Sequence, residues 1–317
     1  MSPMLPRRVE IEARAKLNLG LAVGPERADG YHELATVFQS ITLADTLTAA
    51  RSRRGFRLRV RHEDASVRGR ASRALRTLVP SGAGNLVLRA ARRLAVCAGI
   101  EGGASFVLVK RIPARAGLGG GSADAAAAIA AMVALYRPRI TMKQRLALAA
   151  EIGSDVPFAL RGGTAIGRGR GEKLTRVALD SPFQAIVAVP GWRVSTAKAY
   201  EQINRTKYGL TAWSAKLKFL ESLESLGRKR VTASRALRLG NSFENVLGSR
   251  QGDFDSLCER LRTAGASQVR MTGSGSAVFG ILRPSSPAEV VIGRFAGSEP
   301  LYLARSARAG LKLRVLS

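Results

Sequence analysis

Residues Lys110 to Tyr136 read KRIPARAGLGGGSADAAAAIAAMVALY, a glycine-rich turn that runs directly into an alanine-rich segment. The turn contains four glycines, Gly117, Gly119, Gly120 and Gly121. Glycine permits positive φ angles and lets an anion approach the backbone closely. From Ala123 to Leu135 nearly every residue is apolar, which predicts a helix buried on all faces with its N-terminus at the turn. Free amides and the positive end of the helix dipole then converge on one point, so the stretch predicts a phosphate site.

The residues around this turn qualify that interpretation. No Gly-Lys-Ser or Gly-Lys-Thr follows, so the turn is not a P-loop, and its spacing differs from that of a dinucleotide fingerprint. We expect Ser122 to cap the helix. Asp124 falls in the first turn, where its charge suits the helix dipole but repels an anion, so its side chain is expected to point away or to meet a metal. An ordinary turn before a helix is the alternative.

Two other glycine-rich segments follow in the chain. The first, Gly153 to Leu174, reads GSDVPFALRGGTAIGRGRGEKL and carries Asp155. Its proline is expected to push Val156 out of helical conformation, and an aspartate at such a turn is normally a cap or turn residue. The second, Gln268 to Leu282, reads QVRMTGSGSAVFGIL and is by default a hairpin of two strands around a Gly-Ser-Gly-Ser turn.

The start of the chain contributes two pairs of polar or aromatic residues. Alternation from Arg8 to Ala22 predicts a strand, on which Lys16 and Asn18 share one face because they lie two residues apart. A lysine in such a strand is usually an edge or surface residue. The following segment RADGYHEL contains a turn and places Tyr31 and His32 at a loop tip, where plain packing is the alternative role.

Periodicity and capping residues predict the remaining elements. Asn85 to Ala95 and Thr141 to Glu151 have helical spacing with a polar residue at the start of each. Gln184 to Val189 is predicted to be a buried strand. Val194 to Ile203 is predicted to be a helix in which Thr196 and Tyr200, four residues apart, lie on one face.

The run Pro113 to Ala127, PARAGLGGGSADAAA, resembles the ATP-phosphate motif of the GHMP kinases, the family of galacto-, homoserine, mevalonate and phosphomevalonate kinases. The segments AKLNL, DGYH, GSDVPF and TGSGS resemble other motifs of such enzymes in the same order, and together they cover most of the chain. Ala123 departs from the pattern, since many members carry a second serine there. The resemblance implies ATP binding by Pro113, Gly117, Leu118, Gly119, Gly120, Gly121 and Ser122.

The flanking segments resemble those members that phosphorylate the 2-hydroxyl of 4-diphosphocytidyl-2-C-methyl-D-erythritol. The resemblance implies that Lys16 and Asp155 are catalytic, with the aspartate accepting the hydroxyl proton. It implies that the cytosine lies between Tyr31 and Tyr200, with a polar contact from His32. The full implied substrate set is Asn18, Tyr31, His32, Thr196, Tyr200, Gly273, Ser274 and Gly275. ATP and Mg²⁺ are the implied cofactors, and we expect no protein metal site, the magnesium arriving as the ATP complex.

The fold implied by the resemblance is α+β with two domains and the active site in the cleft between them. Residues 1-170 form the predicted ATP-binding domain, ribosomal-protein-like, with a left-handed βαβ crossover. Residues 171-317 form the predicted substrate-binding domain, which is ferredoxin-like. A chain of 317 residues agrees with two domains.

Composition bears on partners and compartment. The net charge of +28 favours anionic partners, yet the arginines are spread along the chain and aromatic residues make up only 5%, which is poor for stacking on nucleic-acid bases. No apolar run is long enough to span a membrane and no signal core is present, so we expect a cytoplasmic protein, as monomer or homodimer. Cys97 and Cys258 are far apart and predict neither a disulfide nor a zinc site.

Three functions stay open at this point. The first is the kinase for the cytidine-containing substrate, and the second is another small-molecule GHMP kinase, which would keep the glycine loop without needing the two tyrosines. The third is a basic nucleic-acid-binding protein whose loop grips phosphate, which would show steep salt dependence of binding.

Overall fold

The computed structural model describes residues 5–69, 79–206, 210–225 and 230–316. Its strands are β1 (Arg8–Glu26), β2 (His32–Ser52), β3 (Phe56–His62), β4 (Gly103–Lys110), β5 (Thr164–Arg168), β6 (Lys173–Leu179), β7 (Gln184–Ala188), β8 (Arg230–Val231), β9 (Ser267–Met271), β10 (Val278–Ile281), β11 (Leu301–Arg305) and β12 (Leu311–Leu316). Its helices are α1 (Leu86–Cys97), α2 (Gly120–Tyr136), α3 (Met142–Ile152), α4 (Val156–Arg161), α5 (Thr196–Thr206), α6 (Leu210–Ser225), α7 (Ala233–Leu237), α8 (Gln251–Thr263) and α9 (Ala288–Arg294). In these ranges no helix is long and apolar enough to cross a membrane.

The larger sheet has the strand order β12-β1-β2-β5-β6-β8, and β4 pairs with both β2 and β3. Its longest strands, β1 and β2, have 19 and 21 residues and pair antiparallel. The strand predicted from Arg8 is confirmed and continues to Glu26. A lysine in a strand is ordinarily found at an edge, but Lys16 is buried. At this point of β1 the strand pairs with β2, and the backbone amide of Lys16 donates to Leu118 of the glycine loop, because the pairing with β12 ends at Ala13.

The smaller sheet has the order β11-β7-β10-β9, and all its pairs are antiparallel. Numbered by their position in the chain, its strands stand in the order 4-1-3-2, with α8 before the second strand and α9 before the fourth. Buried residues of the sheet and of α8 form one core, among them Met271, Leu257 and Leu261. The α+β class and the ferredoxin-like second unit are therefore confirmed.

The chain leaves the larger sheet for the smaller one and returns to the larger sheet at its last strand. β5 and β6 form a hairpin in the larger sheet, and β12, at the far end of the chain, returns to that sheet beside β1. The boundary between residues 170 and 171 falls in the turn of the β5–β6 hairpin, and the division into 1-170 and 171-317 stays a prediction. β3 and β4 pair in parallel with α1 between them, and the left-handed crossover for this unit also stays a prediction.

Helix α2 is the buried helix that the alanine-rich segment predicts. Ten of its residues are buried, and it packs against β1, α1 and α4. Alanine side chains allow this close approach on every face, because they occupy little volume beyond the backbone. The helix begins one turn earlier than expected: Gly119, at φ 69° and ψ 18°, is its N-cap, and no side chain caps it. Ser122 therefore lies inside the first turn, and the prediction that it caps the helix was wrong.

The proline after Asp155 also behaves differently from the expectation. Val156 begins helix α4, and Pro157 lies in its first turn, with Asp155 as the N-cap residue. Proline is tolerated there because the amide it lacks has no helical acceptor in the first turn. Val156 is thus helical, and α4 fixes the direction in which Asp155 leaves the backbone. The two other predicted helices are confirmed, with Asn85 capping α1 and Thr141 capping α3 through side-chain oxygens.

Candidate active site

The glycine loop before α2 forms one side of a cavity of about 380 Å³. Every residue predicted to bind ATP lines this cavity, namely Pro113, Gly117, Leu118, Gly119, Gly120, Gly121 and Ser122. Asn85 and Leu86, at the start of α1, line it as well. Because the first amides of a helix have no carbonyl partner within the helix, the N-terminus of α2 presents donors to this space.

Two glycines of the loop are required by close contacts. Gly117 has φ +79°, and a Cβ atom there would lie 2.0 Å from the carbonyl oxygen of Thr272. Gly119 has φ +69°, and its Cβ atom would lie 2.9 Å from Cγ of Lys16. The loop is thus packed against the third glycine-rich turn on one side and against the lysine on the other. The backbone amide of Lys16 also donates to the carbonyl of Leu118 at 3.0 Å.

Lys16 lies at the centre of the three glycine-rich segments. Its Nζ atom is 3.6 Å from Oδ2 of Asp155 and donates to Oδ1 of Asn18 at 2.5 Å. A Cβ atom on Gly273 would lie 3.2 Å from the same Nζ atom. Burial lowers the pKa of Lys16, and the neighbouring Asp155 carboxylate opposes that shift. The structure therefore brings together Lys16, Asn18 and Asp155, as the sequence predicts.

The third turn is held in place by groups from two other elements. The side-chain amide of Asn241 donates to the carbonyls of Met271 and Gly273, both at 2.9 Å. The hydroxyls of Thr196 and Ser274 lie 2.8 Å apart, which joins the start of α5 to the turn. Asn241 was not among the predicted site residues. Only the tertiary structure shows that its amide binds this turn, because Asn241 is 30 and 32 residues away from its two partners in the chain.

A buried ionic cluster lies beneath the phosphate loop. Lys110 contacts Asp45 and donates to Oδ2 of Asp124 at 2.7 Å, and all three side chains are nearly inaccessible to solvent. Burial alone would lower the pKa of Lys110, but the two carboxylates outweigh it and raise that pKa above its usual value. Burial raises the pKa of Asp124 to about 8, a shift that Lys110 opposes and Asp45 reinforces.

This cluster answers what Asp124 does in the first turn of the helix. Its side chain turns towards a lysine, which removes the repulsion of an anion that an ionised aspartate would cause. Among the described residues, Oδ1 of Asp124 has no hydrogen-bond partner. Asp45 also accepts the amides of Arg111 and Ile112 at 2.5 and 2.9 Å, so the cluster ties β2, β4 and α2 together. Lys110 was missed by the sequence analysis because no local pattern relates it to Asp45.

The predicted base-binding residues lie at the start of β2 and on α5. His32 is buried, and its ring stacks on Tyr200 with centroids 5.0 Å apart and an angle of 22° between the planes. Tyr200 also contacts Phe243 edge to face. Burial raises the pKa of Tyr200 to about 12. Tyr31 is 52% exposed in the loop before β2. His32 and Tyr200 are thus in direct contact, while a base held between Tyr31 and Tyr200 stays a prediction.

The hydrogen bond of His32 determines which ring nitrogen carries the proton. Nδ1 lies 2.8 Å from the carbonyl oxygen of Gly24. A carbonyl oxygen only accepts hydrogen bonds, so Nδ1 is the donor. In the neutral ring the other nitrogen, Nε2, is then an acceptor.

Comparison with known proteins agrees with the resemblance found in the sequence. The family model described as GHMP kinases N terminal domain matches residues 85–163, and the model described as GHMP kinases C terminal matches residues 219–298. A 4-diphosphocytidyl-2-C-methyl-D-erythritol kinase of Gloeobacter violaceus is 37% identical over 309 residues, which is 96% of each chain. One from Pelotomaculum thermopropionicum is 38% identical over 284 residues, covering 89% of this chain and 92% of that one.

Solved structures agree with these relatives. The crystal structure of a 4-(cytidine 5'-diphospho)-2C-methyl-D-erythritol kinase has a TM-score of 0.69 at 33% identity, covering 94% of this chain and 98% of that one. A homoserine kinase from Cytophaga hutchinsonii has a TM-score of 0.70 at 18% identity, covering 99% of each chain, and supports the fold alone. With the phosphate loop, the lysine–aspartate pair and both sheets in place, the chain belongs to the GHMP kinases and, within them, to the family of the 4-diphosphocytidyl-2-C-methyl-D-erythritol kinases.

Proposed function

We propose that this chain transfers the γ-phosphoryl group of ATP to the 2-hydroxyl of 4-diphosphocytidyl-2-C-methyl-D-erythritol, giving the 2-phosphate and ADP in the non-mevalonate route to isoprenoids. The chain is an ATP-dependent kinase by its family. The observation that carries the proposal is the position of Lys16, whose side chain reaches Gly119 of the phosphate loop, Asp155 and Gly273 at once. The loop proposed to bind ATP, the proposed proton acceptor Asp155 and the lysine that contacts both therefore share one site.

The nucleotide end is formed by backbone groups. The amides at the start of α2 bind the phosphates, and Ser122 adds a hydroxyl at the wall of the cavity. Among the described residues no cluster of three or more acidic, histidine or cysteine side chains is placed to hold a metal ion. Magnesium prefers oxygen ligands and commonly keeps few protein contacts, so we expect the ATP phosphates to supply most of its ligands. When bound, the metal neutralises charge on the phosphate oxygens.

Asp155 and Lys16 act on the acceptor hydroxyl. The carboxylate of Asp155 orients the hydroxyl and takes its proton late in a loose transition state, because a carboxylate is a weak base towards an alcohol. Lys16 lies 3.6 Å from that carboxylate and offsets the negative charge that develops nearby. Asn18 accepts a hydrogen bond from Lys16 and donates to Oγ1 of Thr36 at 2.8 Å, which fixes the direction of the ammonium group.

His32 supports cytosine as the base. Its Nδ1–H is engaged by Gly24, which leaves Nε2 as an acceptor. Cytosine carries an amino donor at position 4, whereas uracil carries a carbonyl there, so an acceptor on the protein favours cytosine. Tyr200 stacks on the same histidine and holds its plane, since the two ring centroids are 5.0 Å apart.

The test is ADP formation by the parent chain and by Asp155→Ala, with and without the cytidine-containing substrate. Homoserine and mevalonate serve as control acceptors, because other GHMP kinases act on them. We expect ADP only with 4-diphosphocytidyl-2-C-methyl-D-erythritol, and loss of ADP in the variant. Substrate-independent ADP formation, or turnover of a control acceptor in its place, would contradict the substrate assignment.

We further propose that the reaction takes place in the cytoplasm.

A further inference from the structure

The turn between β5 and β6 carries an arginine that no step of the proposed mechanism uses. The guanidinium carbon of Arg170 lies 4.7 Å from the centroid of the Tyr31 ring. This distance is well inside the range of about 6 Å in which a cation over an aromatic face is attracted to it. The contact brings a fixed positive charge to the base-binding end of the site.

Two hydrogen bonds hold the turn that carries Arg170 beside the segment that carries Tyr31. The carbonyl of Gly169 accepts the amide of Leu34 at 2.6 Å, and the amide of Gly169 donates to Oε1 of Glu33 at 2.9 Å. Both partners lie within three residues of Tyr31. These two hydrogen bonds connect the β5–β6 turn to the start of β2, so the backbones of Arg170 and Tyr31 are held close to each other.

Glycines on both sides of Arg170 determine the shape of the turn. Gly169 and Gly171 have φ values of +70° and +100°, which favour glycine, and Arg170 stands between them. The amide of Arg170 donates to Oε2 of Glu172 at 2.6 Å, which closes the turn. A planar guanidinium stacks flat on an aromatic ring, whereas the compact ammonium of lysine attracts the ring only as a point charge. The sequence GRGE thus supplies both the bend and the stacking group.

From this geometry we propose that Arg170 is a positioning residue for the base-binding end of the site. It stacks on one face of Tyr31 and orders the ring, so that the opposite face receives the substrate's pyrimidine base. The inference rests on the proposed function and deepens it. An exposed tyrosine left free would have to be ordered when the base binds, and that cost would weaken binding of the substrate without slowing phosphoryl transfer.

The size of the effect follows from the contact. Loss of one exposed cation–π contact corresponds to about twofold to fivefold in affinity, at about 1.4 kcal/mol for each factor of ten. Arg170→Ala is therefore expected to raise KM for the cytidine-containing substrate, and the Kd of cytidine 5'-diphosphate, by about that factor. KM for ATP should stay unchanged, because neither Arg170 nor Tyr31 lines the cavity beside the phosphate loop. kcat is expected to stay within about twofold, which a general loss of structure would not allow.

A double-mutant cycle tests whether the arginine acts through the tyrosine. The Kd of cytidine 5'-diphosphate is measured by calorimetry for the parent, Arg170→Ala, Tyr31→Ala and the double variant. Arg170→Lys tests for stacking, and Arg168→Ala is the matched control, since Arg168 lies on the same hairpin but pairs with Glu224 at 3.0 Å. We expect no further loss on adding Arg170→Ala to Tyr31→Ala, little recovery by lysine, and no change in the control.

Three results would contradict the inference or the function on which it rests. Equal losses from Arg170→Ala with and without Tyr31 would overturn the inference, because the arginine would then act independently. Unchanged binding in Arg170→Ala, with normal binding by the parent, would overturn it as well. If the parent neither binds cytidine 5'-diphosphate nor phosphorylates the cytidine-containing substrate, the proposed function fails, and the inference fails with it.

Discussion

Replacing Asp155 with asparagine removes the charge from the proposed proton acceptor while keeping its shape. We expect kcat to fall by about 100-fold to 10,000-fold, the range usually lost when a positioned acid or base is removed. KM for ATP is expected to change by no more than about threefold, because we propose that backbone amides of residues 117–122 bind the phosphates. The loss should therefore lie in turnover and not in nucleotide binding.

The same substitution has an electrostatic consequence for Lys16. At the observed 3.6 Å, two unit charges interact by about 4 to 5 kcal/mol at an effective dielectric constant of about 20. About a third of the Asp155 side chain is exposed, at 32%, so screening reduces this energy. The remaining interaction still favours the charged form of Lys16. Burial already lowers the pKa of Lys16, and loss of the carboxylate lowers it further.

The assay is ADP release with saturating ATP and substrate across pH 6 to 10, roughly the span in which a depressed lysine pKa would be seen. Residual turnover of Asp155→Asn should decline at a lower pH than that of the parent. Asp180→Asn is the control, since Asp180 is paired with Arg230 far from the phosphate cavity. The reasoning is refuted if Asp155→Asn keeps more than about a tenth of the parent kcat, or if KM for ATP rises as steeply as kcat falls.

Other predictions concern the loop, the ionic cluster and the base. Gly117→Ala should lower the unfolding temperature and abolish ATP binding, because its Cβ atom would lie 2.0 Å from the Thr272 carbonyl; Gly191→Ala, with open space around it, should do neither. The raised pKa of Asp124 means that the folded chain holds this proton more tightly, so the free energy of unfolding should fall as pH rises from 3.8 towards about 8. Asp124→Asn should flatten that slope in urea titrations. Since Nε2 of His32 accepts, cytidine 5'-diphosphate should bind at least about tenfold more tightly than uridine 5'-diphosphate, as measured by calorimetry.

Local patterns were enough to predict the phosphate loop and the lysine–asparagine pair. The glycines and the apolar run after them are contiguous, and Lys16 and Asn18 share a face because side chains alternate along a strand. The cap of α2 was predicted wrongly for a local reason as well. Gly119 takes the left-handed conformation and starts the helix, so Ser122 has no cap position to fill. A serine is a good cap only where the preceding backbone leaves it outside the helix.

The buried cluster and the arginine over Tyr31 could not be predicted in this way. Lys110 and Asp45 are separated by 65 residues, and their contact depends on the pairing of β2 with β4. Arg170 reaches Tyr31 only because the β5–β6 turn is hydrogen-bonded to the start of β2. In both cases the residue types are ordinary, and only the sheet brings them together.

The burial of Lys16 explains why this lysine needs glycines on two sides. A lysine on an edge strand could turn to solvent, but Lys16 is buried between β2 and the glycine loop, and its stem must pass through the site. Gly119 leaves room for Cγ of that stem, and Gly273 leaves room for Nζ. Two of the three glycine-rich segments thus serve the lysine as much as the phosphates. The burial that confines Lys16 also lowers its pKa, and the carboxylate that opposes this shift belongs to the proposed proton acceptor, so position and charge in this site are set by the same contacts.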